Sequence, residues 1–255
     1  MAEITWLGQM GLIIRTESTA ICIDYFATPM ADRLVAPPIE AEKLTGIDAF
    51  LGTHNHLDHI DHDAWKVWAR VNPEARFLCP RAVRESVLAD GVPEERLIGL
   101  NDGEEVRIGD ITVRAIAAAH EFLDRDPKSG LYPYLQYVVE ADGVRIHHAG
   151  DTVRYEGMLG KVLAHGPVDV ELLPINGRDS RRYKADCIGN MTYQEAADFA
   201  GEAGTRIVVP GHWDMFGFNS ADPREFAEYI RVKYGDRLQC KVMSVGETLA
   251  VKGEE

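Results

Sequence analysis

Cationic side chains are scarce in this chain: 27 lysines and arginines stand against 41 aspartates and glutamates, for a formal net charge of −14 over 255 residues. A field of that sign repels polyanions, so no nucleic-acid partner is expected without a local basic patch. Long apolar runs are missing as well, and without a stretch of about eighteen such residues no membrane span is expected. The opening Met1-Ala2-Glu3-Ile4-Thr5-Trp6 has neither a basic region nor an apolar leader core, so the expected compartment is the cytoplasm. Cysteine is sparse: Cys22, Cys79, Cys187 and Cys240 lie far apart with no paired spacing. That argues against a disulfide framework and a cysteine zinc knuckle, and leaves buried thiols in a reducing compartment. Neither a low-complexity linker nor a short fixed repeat breaks the chain. With 45% hydrophobic residues it can fill a substantial core, and one domain over 1–255 is expected.

What the chain does have is the run Thr53-His54-Asn55-His56-Leu57-Asp58-His59-Ile60-Asp61, directly after the apolar stretch 47–52. Imidazole and carboxylate are the ligands borderline divalent metals prefer. In an extended loop alternate residues point the same way, so His54 and His56 can converge on one ion. Asp58 and His59, past the bend, can reach a second position nearby.

The surrounding pattern is mixed. Strands are expected at 4–7, 11–15, 20–24, 96–99, 104–108, 111–117, 134–140, 144–148, 168–173 and 207–210. Helices are expected over 63–71 with Asp63 as cap, 81–89, 155–163, 192–203 and 223–234. Thr192 with Glu195 forms a capping box, and Asp222-Pro223 opens the last of these. The stretch 25–44, with Pro29, Pro37 and Pro38, reads as a surface connection or a loop over the mouth of a site. Each half is strand-rich first and helix-bearing after, which suggests two sheets face to face with helices outside.

Three further candidates each follow an apolar strand: His120, Asp151 and His212. Strand ends are rigid platforms, and Gly150 and Gly211 let the backbone turn sharply beside Asp151 and His212. A histidine after a strand is commonly a hydrogen-bonded core residue, and a Gly-Asp a turn; the histidine run is what tips the reading toward a metal site.

With these residues in place, the chain resembles the metallo-β-lactamase superfamily, whose signature His54, His56, Asp58 and His59 match. The resemblance implies an α/β fold, a four-layer αββα sandwich of two mixed sheets flanked by helices. It also implies two divalent metal ions, zinc or manganese with iron as a further option. His54, His56 and His120 would hold one ion, Asp58, His59 and His212 the other, with Asp151 bridging. A closer likeness is to the L-ascorbate-6-phosphate lactonase branch, through Trp6-Leu7-Gly8, Ile21-Cys22-Ile23-Asp24, His59-Ile60-Asp61, Gly91-Val92-Pro93, His148-Ala149-Gly150-Asp151, Val208-Val209-Pro210 and Asp222-Pro223-Arg224-Glu225. This chain is shorter than those lactonases and keeps His120, which some of them do not.

The expected activity is therefore metal-dependent hydrolysis of a sugar-acid lactone, phosphorylated as in L-ascorbate 6-phosphate, with Asp58 orienting the nucleophile and taking its proton. A small-phosphodiester phosphodiesterase and a non-catalytic metal-stabilised binding subunit are the alternatives. For an anionic small-molecule substrate, the segment Arg178, Arg181, Arg182, Tyr183 and Lys184 offers guanidinium forks, or else is a solvated loop paired with neighbouring acids. Asn190 and Trp213 could line the pocket, Trp213 equally by simple packing with Phe216. His148 is placed to support a ligand from behind; His62, His147 and His165 are given no catalytic role. A homo-oligomer is compatible with the likeness.

Overall fold

The computed structural model describes residues 1–253. Its first half runs β1 (Ala2–Gly8), β2 (Gly11–Arg15), β3 (Ala20–Ile23), β4 (Ala49–Leu51), α1 (His62–Val71), β5 (Arg76–Pro80), α2 (Arg84–Ala89) and β6 (Leu97–Leu100). The second half runs β7 (Glu105–Ile108), β8 (Ile111–Ala117), β9 (Leu135–Ala141), β10 (Val144–His148), α3 (Met158–Val162), β11 (Val170–Pro174), α4 (Ser180–Lys184) and α5 (Tyr193–Ala203). It ends with β12 (Ile207–Gly211), α6 (Pro223–Tyr234), β13 (Gln239–Cys240) and β14 (Thr248–Val251).

One sheet has the order β14-β1-β2-β3-β4-β5-β6, the other β13-β12-β11-β10-β9-β8-β7. Each is mixed. In the first, β14 through β3 pair antiparallel and β3 through β6 parallel. In the second, β13 through β10 pair parallel and β10 through β7 antiparallel.

Period-two alternation builds the layers. Ile21 and Ile23, Ala49 and Leu51, and Leu78 face the opposite sheet, where they meet Val113, Tyr137, Ile146 and Leu172. The residues between them, Cys22, Phe50, Phe77 and Cys79, face outward onto Trp65 and Trp68 of α1 and Val87 of α2. On the far side Val138, Leu173 and Val208 meet Phe199 of α5 and Phe226 and Ile230 of α6. The result is helices, sheet, sheet, helices: the expected four-layer sandwich. No helix among the described residues is long and apolar enough to cross a membrane.

The capping box at Thr192 and the Asp222-Pro223 start form as expected. Several boundaries differ. Helix α1 starts at His62 with Asp61 as cap, not Asp63: the Asp61 carboxylate accepts from the backbone N–H of Ala64 at 3.1 Å and of Ala27 and Thr28 at 2.9 and 2.8 Å. Asp63 instead pairs on the surface with Lys66. The helix expected over 81–89 is a 3₁₀ turn (Arg81–Val83) followed by α2. That expected over 155–163 shortens to α3 because Gly157, at φ +85°, cannot carry helical geometry backward. Strands β4, β5, β13 and β14 are not among those expected; segments this short carry little pattern of their own.

Candidate metal centre

Strands β3, β4, β8, β10 and β12 all deliver their C-terminal ends to one edge of the sandwich. In the second sheet β8 is antiparallel to β9 and β9 to β10, so β8 runs with β10, and β10, β11 and β12 are mutually parallel. His120 follows β8, Asp151 follows β10 and His212 follows β12; across the gap the histidine run follows β4. The sheets are joined here, with the Tyr137 hydroxyl donating to the Gly52 carbonyl at 2.8 Å and the Leu135 N–H to the Thr53 carbonyl at 2.9 Å. Glycine is required at 52: a Cβ there would lie 2.2 Å from Cγ1 of Ile60. His212 itself adopts φ +58°, which turns its ring back toward the centre.

The seven candidate ligands meet in three overlapping sets: His54, His56 and His120; His54, His59 and Asp151; Asp58, His59 and His212. Within each set the ligand atoms lie within 4.8 Å of one another. Asp151 reaches both sides, with Oδ1 3.2 Å from His59 Nε2 and Oδ2 3.2 Å from His212 Nε2 and 3.7 Å from His120 Nε2. His59 Nε2 and Asp151 Oδ1 are buried and close, yet neither makes a hydrogen bond. Orphaned buried polar atoms are costly, and a divalent cation between them would satisfy both. The donor set fits a metal.

Charge divides the centre into two unlike halves. Burial pushes the imidazoles of His54 and His56 below the ordinary value, and that of His120 down to about 4. Burial acts the same way on His59 and His212, but the carboxylates override it: Asp151, Asp24 and Asp58 hold His59 well above the ordinary value, and Asp151 and Asp58 raise His212. In return, although burial disfavours their charge, Asp58 and Asp151 are held below the usual carboxylate range by His59 and His212. One half favours neutral imidazoles; in the other, the carboxylates favour the protonated rings.

The centre opens into a cavity of about 420 Å³. His56, Asp58, His120, Asp151 and His212 form its floor; Met30, Ile188, Phe216 and Phe218 give apolar walls, with Asp32, Asp186, Cys187 and Asn219 between them. Among the described residues lining it there is no lysine or arginine. Met30 and Asp32 come from the 25–44 stretch, which thus overhangs the mouth and is pinned by Asp61 and by the Leu34 N–H on the Met215 carbonyl at 2.9 Å.

A beta-lactamase superfamily domain model matches residues 20–213. The chain belongs to that superfamily. Within it, the UPF0173 metal-dependent hydrolase of Thermococcus onnurineus is 31% identical over 251 residues, covering 98% of this chain and 99% of the relative. That of Rubrobacter xylanophilus is 32% identical over 254 residues, covering 97% and 96%. Among solved structures, the metallo hydrolase Igni18 from Ignicoccus hospitalis superposes with a TM-score of 0.76 at 23% identity, over 97% of both chains. This UPF0173 metal-dependent hydrolase thus has the superfamily fold and His/Asp clusters able to bind metal.

The cationic segment lies elsewhere. Arg178 donates a two-pronged pair of bonds to Glu195, both 2.7 Å, and a third to the Asn190 carbonyl at 2.9 Å. Arg182 donates to the carbonyls of Asn176 and, at 2.8 Å, Ser220. Arg181, Tyr183 and Lys184 are exposed on α4, whose first turn is capped by Asp179. Asn190 is buried and donates to Asn176 Oδ1 at 3.1 Å. Trp213 stacks on Trp6 with ring centroids 5.7 Å apart and donates to the Pro210 carbonyl at 3.1 Å. None of these seven residues lines the metal cavity.

Asp24 and Gln9, assigned no role from the sequence, stand behind the ligands. Asp24 accepts from Nδ1 of His59 at 2.6 Å and from the backbone and hydroxyl of Thr53 at 2.8 and 2.6 Å. It has two signals in the sequence: it ends a strand next to the histidine strand, and it closes the Ile21-Cys22-Ile23-Asp24 motif of the lactonase likeness. Gln9 donates to Asp58 Oδ2 at 2.8 Å from the β1–β2 turn; it directly follows the Trp6-Leu7-Gly8 motif, but a lone glutamine after a strand carries no chemical signal of its own. His148 bonds to the Met10 carbonyl at 2.7 Å through Nε2 and accepts from the Gly150 N–H at 3.2 Å, bracing the turn into Asp151. His147 points the other way but is equally buried, bonded to Glu171 at 3.0 Å and Gln136 at 2.7 Å.

Proposed function

We propose that this metal-dependent hydrolase is a two-ion lactonase acting on an uncharged ring ester that bears an apolar group. One ion would be held by His54, His56 and His120, the other by Asp58, His59 and His212, with Asp151 shared. A divalent ion there lowers the pKa of water to roughly 7 and polarises a carbonyl oxygen. Asp58 is held ionised by His59 and His212, so it can orient a nucleophilic water and accept its proton. The non-reacting part of the substrate would lie against Met30, Ile188, Phe216 and Phe218.

The observation that carries the substrate class is the cavity wall: apolar side chains and carboxylates with no cation among its described residues. A phosphate group would meet Asp32 and Asp186 there, while Arg178 and Arg182 are spent on protein partners. This favours a neutral lactone over the phosphorylated sugar-acid lactone of the L-ascorbate-6-phosphate branch. The test is a substrate panel on protein reconstituted separately with manganese and zinc: an unsubstituted lactone, an alkyl-substituted lactone, a phosphorylated sugar lactone and a bis-aryl phosphodiester. The alkyl-substituted lactone should give the highest kcat/KM. Preference for the phosphorylated lactone would overturn the neutral-substrate reading, and preference for the phosphodiester the lactonase itself. Metal bound without any turnover would favour a binding subunit.

A further inference from the structure

Gln9 enters the metal centre from a strand turn that carries none of the signature residues. It is 1% exposed and sits at φ +54°, in the left-handed region. Its backbone is held on both sides of the side chain. The Gln9 N–H donates to Asp214 Oδ1 at 2.8 Å, and its carbonyl accepts from the His212 N–H at 3.0 Å and the Trp6 indole at 3.3 Å. An unfavourable backbone conformation this firmly fixed places the side chain.

The side-chain amide ends inside the second ligand set. Its Nε2 lies 2.8 Å from Asp58 Oδ2 and 3.1 Å from His212 Nε2, and those two atoms are 3.6 Å apart. Donor atoms sharing an ion at about 2.1 Å are separated by roughly 3.0–3.4 Å, the edge of an octahedron or tetrahedron. The amide terminus therefore stands at the spacing of a neighbouring ligand. Meanwhile Gln9 Oε1 is buried with no hydrogen-bond partner.

The amide nitrogen and oxygen are alike in size and exchange places by one side-chain rotation; which faces a site is decided by what it meets. Facing a bare carboxylate, the NH₂ group donates to Asp58 and leaves the oxygen stranded. Facing a cation held by Asp58, His59 and His212, the NH₂ group is repelled, and rotation brings the orphaned oxygen to the same spot. We propose that the Gln9 carbonyl oxygen is a further protein ligand of that ion, beside Asp58, His59, His212 and the shared Asp151. The inference rests on the two-ion reading above. It makes the two positions chemically distinct: beyond the shared Asp151, three imidazoles on one side, and two imidazoles with the Asp58 and Gln9 oxygens on the other. Oxygen donors suit manganese more than a three-histidine set does, so the Gln9 position is the one that takes the harder ion.

The test is calorimetric titration of metal-free protein with Mn²⁺ and with Zn²⁺, alongside metal content by mass spectrometry, for wild type, Gln9→Ala, Gln9→Met and Gln9→Glu. Gln9→Met keeps side-chain length while removing the oxygen, and circular dichroism checks that each variant is folded. Wild type should bind two ions. Gln9→Ala and Gln9→Met should keep one Kd unchanged and weaken the other tenfold or more, with the larger loss for Mn²⁺, while Gln9→Glu retains tight binding. Two ions bound by Gln9→Met with wild-type constants would overturn the Gln9 ligand alone. A wild type that binds fewer than two ions would overturn the two-ion reading, and Gln9 with it.

Discussion

The carboxylate of Asp24 lies 2.6 Å from Nδ1 of His59, and both side chains are fully buried. The contact fixes which ring nitrogen carries the proton and leaves Nε2 aimed at Asp151. Carboxylates placed behind metal-binding histidines typically contribute roughly 10–100-fold to metal affinity. Asp24→Asn keeps the shape and removes the charge, so it should weaken zinc binding by about that factor while the far-ultraviolet circular dichroism is unchanged. A chelator competition assay reads it. Unchanged affinity would reduce Asp24 to a support for the Thr53 backbone.

The two halves of the centre should differ in their response to pH. His54, His56 and His120 have depressed pKa values, so they are neutral at pH 7 and an ion can enter without displacing protons. His59 and His212 are raised above their ordinary value, so their rings keep protons to higher pH than a free imidazole and an entering ion must compete with those protons. The sign follows: their contribution to metal-free stability is complete below about pH 6.5 and is lost as pH rises through the raised folded values. Affinity at the Asp58 side climbs over the same range. Calorimetry at pH 7 in buffers of different protonation enthalpy should show proton release for one ion only. Equal release for both would contradict the division.

Much of this was legible because the chemistry is concentrated. The run from His54 to His59 fits within one loop, and each remaining ligand follows an apolar strand, so position along the chain stood in for position in space. The supporting residues were not legible for the converse reason. Asp24 and Gln9 act through contacts 35 and 49 residues distant in sequence, with His59 and Asp58 respectively. The cationic segment could be read two ways because local charge density shows what a residue can bind and not what already binds it. Arg178 finds Glu195, itself the capping-box residue of α5. Short strands such as β4 and β5 hold too few residues to show a period, and their partners supply what their own sequences do not.

Packing at the hinge of the histidine loop gives a stability prediction. Gly52→Ala would place a Cβ 2.2 Å from Ile60 Cγ1 and 3.3 Å from the Trp65 ring, in a buried cluster with no flexible side-chain end to yield. Overpacking of this kind costs about 1–3 kcal/mol. At about 2–4 °C per kcal/mol for a chain of this size, scanning calorimetry should show Tm lowered by several degrees. An unchanged Tm would mean that the loop accommodates a methyl group freely.

Arg178→Ala separates the scaffold role from a substrate role. Its ion pair with Glu195 is about one-third exposed on each side, which limits the stability loss to roughly 1 kcal/mol or less. KM values for phosphorylated and neutral lactones should then move together. A rise confined to the phosphorylated substrate would place Arg178 on the substrate.

The central claim, two divalent ions gathered by seven side chains, is tested most directly by anomalous diffraction at the metal edge from crystals of manganese- or zinc-loaded protein. The account predicts two peaks per chain, one among His54, His56 and His120 and one among Asp58, His59 and His212, with the Asp151 carboxylate between them. A single peak, or peaks that leave His120 or His212 without a metal contact, would contradict it.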